Sequence, residues 1–403
     1  MIGFTDRGRL VLLLAGGIYL VAWGFGTRTL YPVATGLALA ALGARLWVAI
    51  ARQPVVLRRS LGPGDRVEGD DVTIGLEARP QRYPGPRSLE IVERAGRLGE
   101  RKTRLSRHGS ILLARYILRA VARGRYRFEA VQAIFEDPFA LARAETHLGG
   151  ESTLLVYPLL VDLPRLFSEG GGAAQPGGRM LLRRTSGFDL HSVREYEQGE
   201  SLRKVHWRTT ARRGQLMVKE LEDMPHDEVG VLLDADGRAV VGESFDVQVR
   251  AAGSILRAQA LRSRRAALTV TSSPPESCRV ASYDGEWRHA LDLLAAAEPT
   301  GTEPLVRFLE RDSSLVASAN EIVAVTASLS AGLVDALLER ALARRPTSLV
   351  FVESASFGPE GAPPLREPAL LRLQAAGVPV AVLRRGDDLA AKLSGFEQAV
   401  ALG

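Results

Sequence analysis

The sequence predicts a multi-domain membrane protein made of a two-helix transmembrane hairpin, an immunoglobulin-like β-sandwich and a doubly wound α/β domain. Three observations predict it. Two long apolar runs fall within the first fifty residues, a period-two alternation follows to about Pro164, and beyond residue 225 strand-length apolar runs alternate with helical segments. The expected boundaries are 1–52 for the hairpin, 53–166 for the sandwich, 167–179 for a Gly-rich linker and 180–403 for a basic motif with the α/β domain.

The hairpin comes first. Leu10 to Phe25 carries no charge, and Leu30 to Ile50 carries only Arg45. Crossing a bilayer takes roughly 20 mainly apolar residues in a helix, which both runs supply, with a short turn at Gly26-Thr27-Arg28-Thr29. Arg7 and Arg9 precede the first run, Arg52, Arg58 and Arg59 follow the second, and Arg28 is alone in the turn. Positive charge accumulates on the cytoplasmic side, so both ends are expected in the cytoplasm of a multi-pass inner-membrane protein. Tyr19, Trp23, Tyr31 and Trp47 lie near the run ends, where amphipathic rings anchor at the interface.

From Val55 the pattern turns to strands. Val72 to Ala78 and Arg125 to Val131 each alternate apolar and polar residues, and turn residues such as Gly62-Pro63-Gly64-Asp65 separate the segments. Alternation of this kind buries one face of a sheet. Ile111 to Arg119 fits a strand or a helix. Ser168 to Gly178 is Gly-rich and reads as a flexible connection.

Charge divides the chain more sharply than its net +6 reveals. Residues 1–225 hold 34 basic and 23 acidic side chains, and residues 226–403 hold 18 and 23. The basic side chains are nearly all Arg rather than a clustered mix of Lys and Arg, and no recognition helix or aromatic stacking platform accompanies them, so nucleic acid is not the expected partner. A single cysteine, Cys278, excludes an intrachain disulfide, and no metal-ligand Cys/His spacing occurs. No phosphate-cradling loop, dinucleotide fingerprint or nucleophile elbow is present, and no enzymatic activity is expected.

The motif region runs from Arg183 to Leu221. It contains Arg194 and Tyr196, then Gly199-Glu200, Arg203, Val205-His206-Trp207-Arg208 and Ala211-Arg212. Nine basic and four acidic side chains lie between 183 and 219. These residues suit a structural junction in which Arg pairs with carboxylate, a docking surface for an acidic partner, or phosphate binding. His206 has no Ser or Cys nucleophile motif nearby and is not read as a catalytic base.

This pattern resembles the family known as domain of unknown function 58. Asp137-Pro138-Phe139-Ala140-Leu141 is similar to the family's Asp-Pro-Phe-Gly-Leu, and Val156-Tyr157-Pro158 is similar to the strand after it. Glu200 departs from the family's usual Asp. The resemblance implies work between proteins: bacterial members look like partners of MoxR-type AAA+ ATPases in cell-envelope systems, with a transglutaminase-like protein often implicated.

The α/β domain opens at Val229-Gly-Val-Leu-Leu233, which ends in Asp234. Strands are expected at Ala267 to Thr271, Ile322 to Thr326, Leu349 to Val352 and Val378 to Leu383. Helices are expected near 245–264, 287–297, 330–344, 367–376 and 388–400. Such alternation builds a parallel sheet, which binds ligands beyond its strands' carboxyl ends, where Asp234 falls. A strand ending in Asp at this place resembles the von Willebrand factor type A domain, whose Asp-x-Ser-x-Ser loop often holds Mg²⁺. Here the loop reads Asp234-Ala235-Asp236-Gly237-Arg238, with Asp and Arg in place of the two serines. The expectation is a degenerate site in which Asp234 and Asp236 retain at most weak cation binding, or in which Arg238 satisfies Asp234 internally. The alternative function is therefore a divalent-cation-dependent ligand-binding or enzymatic α/β domain using Asp234 and Asp236.

Overall fold

A computed structural model describes residues 2–62, 64–82, 86, 88–170, 190–195, 210–212, 214–215, 217–221, 228–281, 285–311, 315–316, 319–359 and 367–395. Contacts divide the chain into two compact units, Met1–Tyr157 and Pro158–Gly403.

The first unit begins with a short strand, β1 (Ile2–Phe4), followed by helices α1 (Asp6–Phe25) and α2 (Tyr31–Ala51). Thr5 caps α1 by accepting the Gly8 amide at 3.1 Å. Gly26 ends the helix in the left-handed conformation at φ 66°, which glycine adopts without a Cβ penalty. Pro32 sits in the first turn of α2, where a missing N–H costs nothing. Gly8, Ala15 and Ala22 are the buried residues of α1, and Ala34, Ala41 and Val48 recur on α2 at the same seven-residue spacing. Small side chains on that stripe let the two helix backbones approach closely. Most of the large apolar side chains of both helices face outward. Both helices are long and apolar enough to cross a membrane.

The rest of this unit is antiparallel sheet. Its strands are β2 (Val55–Leu61), β3 (Arg66–Val67), β4 (Val72–Pro80), β5 (Ser88–Arg94), β6 (Glu100–His108), β7 (Ile111–Leu118), β8 (Gly124–Phe128), β9 (Val131–Glu136), β10 (Ala142–Leu148) and β11 (Ser152–Tyr157). An eight-stranded sheet runs β1-β10-β9-β5-β6-β7-β4-β2, and a three-stranded one runs β3-β11-β8. Alternation sets the inner face, as on β4, where Val72, Ile74, Leu76 and Ala78 are all buried. The large sheet curls until Arg59 of β2 meets Glu93 of β5 at 2.6 Å, with both side chains almost fully buried. The Arg59 guanidinium also donates to Gly150 O and Ser152 Oγ and lies 4.4 Å from the Phe128 ring centroid. The ambiguous segment 111–119 is a strand. Arg125 to Val131 is not one strand: it breaks after Phe128, and its two parts enter different sheets as β8 and β9. The N-terminal β1 was not expected; it pairs with β10 from Ile2↔Ala144 to Phe4↔Ala142.

The second unit starts at Pro158, within the stretch 53–166 expected for the sandwich. Leu160, Val161, Leu163, Leu166 and Phe167 pack into its core, and a short helix, α3 (Phe167–Gly170), follows. The remainder of the expected linker lies outside the described residues. An antiparallel pair of strands, β12 (Leu190–Glu195) and β13 (Met217–Leu221), precedes the α/β body. That body comprises β14 (Val229–Leu233), α4 (Ser244–Leu261), β15 (Ala266–Val270), β16 (Glu276–Val280), α5 (Gly285–Ala296), α6 (Val306–Glu310), β17 (Glu321–Thr326), α7 (Ala331–Leu342), β18 (Thr347–Val352), α8 (Pro368–Ala375), β19 (Val380–Leu383) and α9 (Leu389–Ser394). The strand order is β16-β15-β14-β17-β18-β19, parallel except for β16. Val231, Leu233, Val323, Val325, Val350 and Val352 face one core with α4 and α5, whereas Leu232, Ile322, Ala324, Leu349 and Phe351 face the other with α7 and α8. Helices therefore cover both faces of a parallel sheet, as its near-continuous apolar strands require. The antiparallel edge strand β16 was not among the expected strands.

Candidate functional site

The carboxyl edge of the parallel sheet gathers three oxygen-bearing side chains at or just past the ends of neighbouring strands: Asp234 after β14, Thr271 after β15 and Thr326 at the end of β17. The register of the strands brings them together although 92 residues separate the outermost pair. Thr326 Oγ1 lies 2.6 Å from Asp234 Oδ2, and the Asp236 amide donates to Oδ1 at 3.2 Å. Thr271 Oγ1 is 3.4 Å from Oδ1 and accepts the Ala235 amide at 2.9 Å. Asp234 is 6% exposed. Burial raises its carboxyl above the ordinary range, the Thr326 hydroxyl and Asp236 amide oppose that rise, and the Asp236 charge adds to it.

Asp236 has a different environment. Its carboxylate caps the turn at Gly237–Ala239 by accepting the Arg238 amide, and it takes the Arg238 guanidinium in a two-pronged pair at 2.9 and 2.8 Å. The hydrogen bond from Arg238 is the main reason that its carboxyl lies below the ordinary value. The expectation that Arg238 satisfies Asp234 is corrected here: a guanidinium two residues on reaches Asp236, and hydroxyls from β15 and β17 serve Asp234. The Arg238 side chain is 76% exposed above its anchor.

Residues 298–301 close over this edge. The Gly301 amide donates to Ala235 O at 2.8 Å, and Thr300 Oγ1 accepts the Ser273 amide at 3.1 Å. A Cβ at Gly301 would collide with the backbone of Thr271 and Ala235, so no other residue lets the segment lie this close. Just past β18, Glu353 is buried and paired with Arg384 at 2.8 Å.

These residues do not fit a divalent cation of the kind the type A resemblance implies. Such an ion needs several oxygens facing one point in near-octahedral array. Here the carboxylate of Asp234 is engaged by hydroxyls and an amide, that of Asp236 is neutralised by Arg238, and a donated hydroxyl occupies the β17 position. Among the described residues, no group of three His, Cys, Asp or Glu side chains is placed to hold a metal.

The basic motif is only partly described. Arg194 lies on β12 opposite Val218 of β13. Ala211 and Arg212 are exposed in a turn whose Thr210 Oγ1 accepts the Met217 amide at 3.0 Å. Tyr196, Gly199, Glu200, Arg203, His206, Trp207 and Arg208 lie outside the described residues. Sequence reasoning missed Thr271 and Thr326 as partners of Asp234, although each closes an expected strand and so falls on the same sheet edge.

The other echo of the motif, Asp137 to Leu141, is a tight turn between β9 and β10. The Asp137 carboxylate, 4% exposed, accepts three backbone amides: Phe139 at 2.9 Å, Leu141 at 2.7 Å and Ala142 at 2.6 Å. Ala140 takes φ 56°, a left-handed conformation that suits the glycine seen there in the resembling family. The carbonyls of this turn receive the start of α1, with Thr5 Oγ1 donating to Ala140 O at 2.5 Å and the Thr5 amide to Leu141 O at 3.0 Å.

Residues 192–311 match the model of the family described as Protein of unknown function DUF58, a stretch that includes most of β12, the basic motif from Ser192 onward, and Asp234 and Thr271 of the sheet edge but not Thr326. Uncharacterized protein YeaD of Bacillus subtilis (strain 168) is 25% identical over 197 residues, covering 49% of this chain and 48% of that protein. The chain thus spans about half the length of this relative. Among solved structures, the CARDB domain of the PF1109 protein from Pyrococcus furiosus is 11% identical at a TM-score of 0.18, over 26% of this chain and 87% of that one. Cwp6 from Clostridium difficile is 8% identical at a TM-score of 0.19, over 86% and 48%. Neither TM-score is high enough to bear on the fold.

Proposed function

This chain belongs to the DUF58 family through residues 192–311, and from that premise we propose that it is a membrane-anchored, cytoplasm-facing scaffold that docks other proteins. Its partner on this reading is a MoxR-type AAA+ ATPase of a cell-envelope system, with a transglutaminase-like protein as a further associate. The β-rich unit is the immunoglobulin-like spacer, and the parallel sheet is a von Willebrand factor type A-like domain that has given up its cation.

The observation that carries the docking reading is Arg238. Its guanidinium is fixed by Asp236 through Nε and Nη2 yet largely exposed at the carboxyl edge of the sheet, so its remaining N–H donors are pre-positioned for an acidic group without ordering a long side chain on binding. Arg194, Arg203, Arg208 and Arg212 of the motif extend the basic character of the docking surface on this reading. The hydroxyl-bonded Asp234 favours this over cation-dependent ligand binding or catalysis, because its carboxylate is committed within the fold.

The test is co-purification of the cognate ATPase with full-length protein in detergent. Arg238→Glu, and separately the pair Arg203→Glu with Arg208→Glu, are expected to lower recovery at least about tenfold, equivalent to about 1.4 kcal/mol. Unchanged recovery by folded variants of both kinds would refute docking through these arginines.

A further inference from the structure

At 1.5 Å per residue, α1 and α2 are each about 30 Å long, matching a hydrocarbon core of about 30 Å only if nearly their full lengths are immersed. Yet the first turn of α1 and the last turns of α2 are already seated on the β-rich unit. Gly8 abuts the Leu141 carbonyl, where a Cβ would collide, and Ala44 and Val48 are buried in the β-unit core. If that unit stood clear of the lipid, only about 14 residues of each helix, roughly 21 Å, would remain to span it. Leu10, Trp47 and Ile50, which are 65%, 55% and 64% exposed on these same seated turns, would then face water.

Resting on the spanning reading above, we propose that the β1–β10 edge and the Asp137–Leu141 turn are themselves set into the lipid headgroup layer, with Phe139 as the residue that enters the acyl boundary. Phe139 is 77% exposed at the tip of a turn bonded to the N-cap of α1, so its depth is tied to the depth of that helix. On β1, which pairs with β10 at Phe4↔Ala142, the Phe4 ring centroid lies 5.6 Å from the Arg45 guanidinium, and Arg7 is exposed in the first turn of α1. Aromatic rings with cations at this level suit the phosphates of an anionic phospholipid surface, to which basic side chains near the membrane are drawn.

Nitroxide depth measurement on the full chain in phosphatidylcholine:phosphatidylglycerol vesicles tests this. Labels are placed through Phe139→Cys, Leu20→Cys within α1, and Ala130→Cys at the opposite end of β9, all with Cys278→Ser. The expected result is an oxygen-to-nickel accessibility ratio at 139 several-fold above that at 130, with 20 higher still. A ratio at 139 equal to that at 130, while 20 remains lipid-like, overturns the embedded edge and leaves the spanning hairpin intact. An aqueous ratio at 20 overturns the spanning reading and the embedded edge together.

Discussion

Asp137 shows how one carboxylate organises a junction. With three amides converging on it, its removal strands the buried N–H groups of Leu141 and Ala142 and the partly buried one of Phe139, and Asp137→Ala is expected to cost about 3 kcal/mol, measured by chemical unfolding of the detergent-solubilised protein. Asp234 behaves differently, because its folded-state carboxyl is raised by burial. A proton is then held more tightly folded than unfolded, so this group lowers stability as pH climbs from the ordinary carboxylate value through its raised one, and contributes no further slope above that. Asp234→Asn is expected to flatten that slope, since an amide still accepts the Asp236 amide while Thr326 turns its hydroxyl to Ser328 O, 3.0 Å away. A slope unchanged by the substitution would show that other groups set it. Cys278 is buried with its thiol pushed up to about 11, chiefly by that burial, so alkylation at pH 8 is expected to be slow until the protein is unfolded.

Among the elements, the long periodic ones were legible and the short or interrupted ones were not. The apolar runs of α1, α2, β14, β17 and β18 carry their own signal, because burial on both faces or immersion in lipid demands unbroken apolar sequence. The three-residue β1 is too short to show a period, and it is a strand only because β10 lies alongside it. The split between β8 and β9 was hidden because the alternation from Arg125 runs on through Ala130 without a glycine or proline to mark the corner. Edge strand β16 is polar on one side and resembles a loop in composition. The helix seam was readable in principle, as the small residues Ala15 and Ala22 on α1 and Ala34 and Ala41 on α2 recur at the same seven-residue spacing and are buried amid exposed large side chains. Leucine at Ala22 or Ala41, both fully buried, is expected to force the helices apart. Faster proteolysis in the 26–30 turn of the reconstituted protein would register it, and an unchanged cleavage rate would contradict the close seam.

At the scale of the whole molecule, the charge contrast between the halves acquires a physical setting. The basic excess of residues 1–225 belongs to the unit that carries the two apolar helices and to the motif, where on the proposed reading an anionic leaflet or an acidic partner would meet it, while the acidic remainder coincides with the α/β body. The candidate site was legible as a place, the end of β14, but not as a chemistry. What Asp234 does depends on two threonines far along the chain, and only the assembled sheet shows that they satisfy it. A scaffold that recruits a cytoplasmic ATPase must present its α/β unit to the cytoplasm, so topology bears on membrane anchorage, orientation and partner at once. The direct measurement is a pair of reporters fused after Gly403, one active only in the cytoplasm and one only in the periplasm. Activity of the cytoplasmic reporter alone, in a membrane fraction resistant to salt and alkaline extraction, is the expected result; activity of the periplasmic reporter would contradict both the orientation and the ATPase partnership.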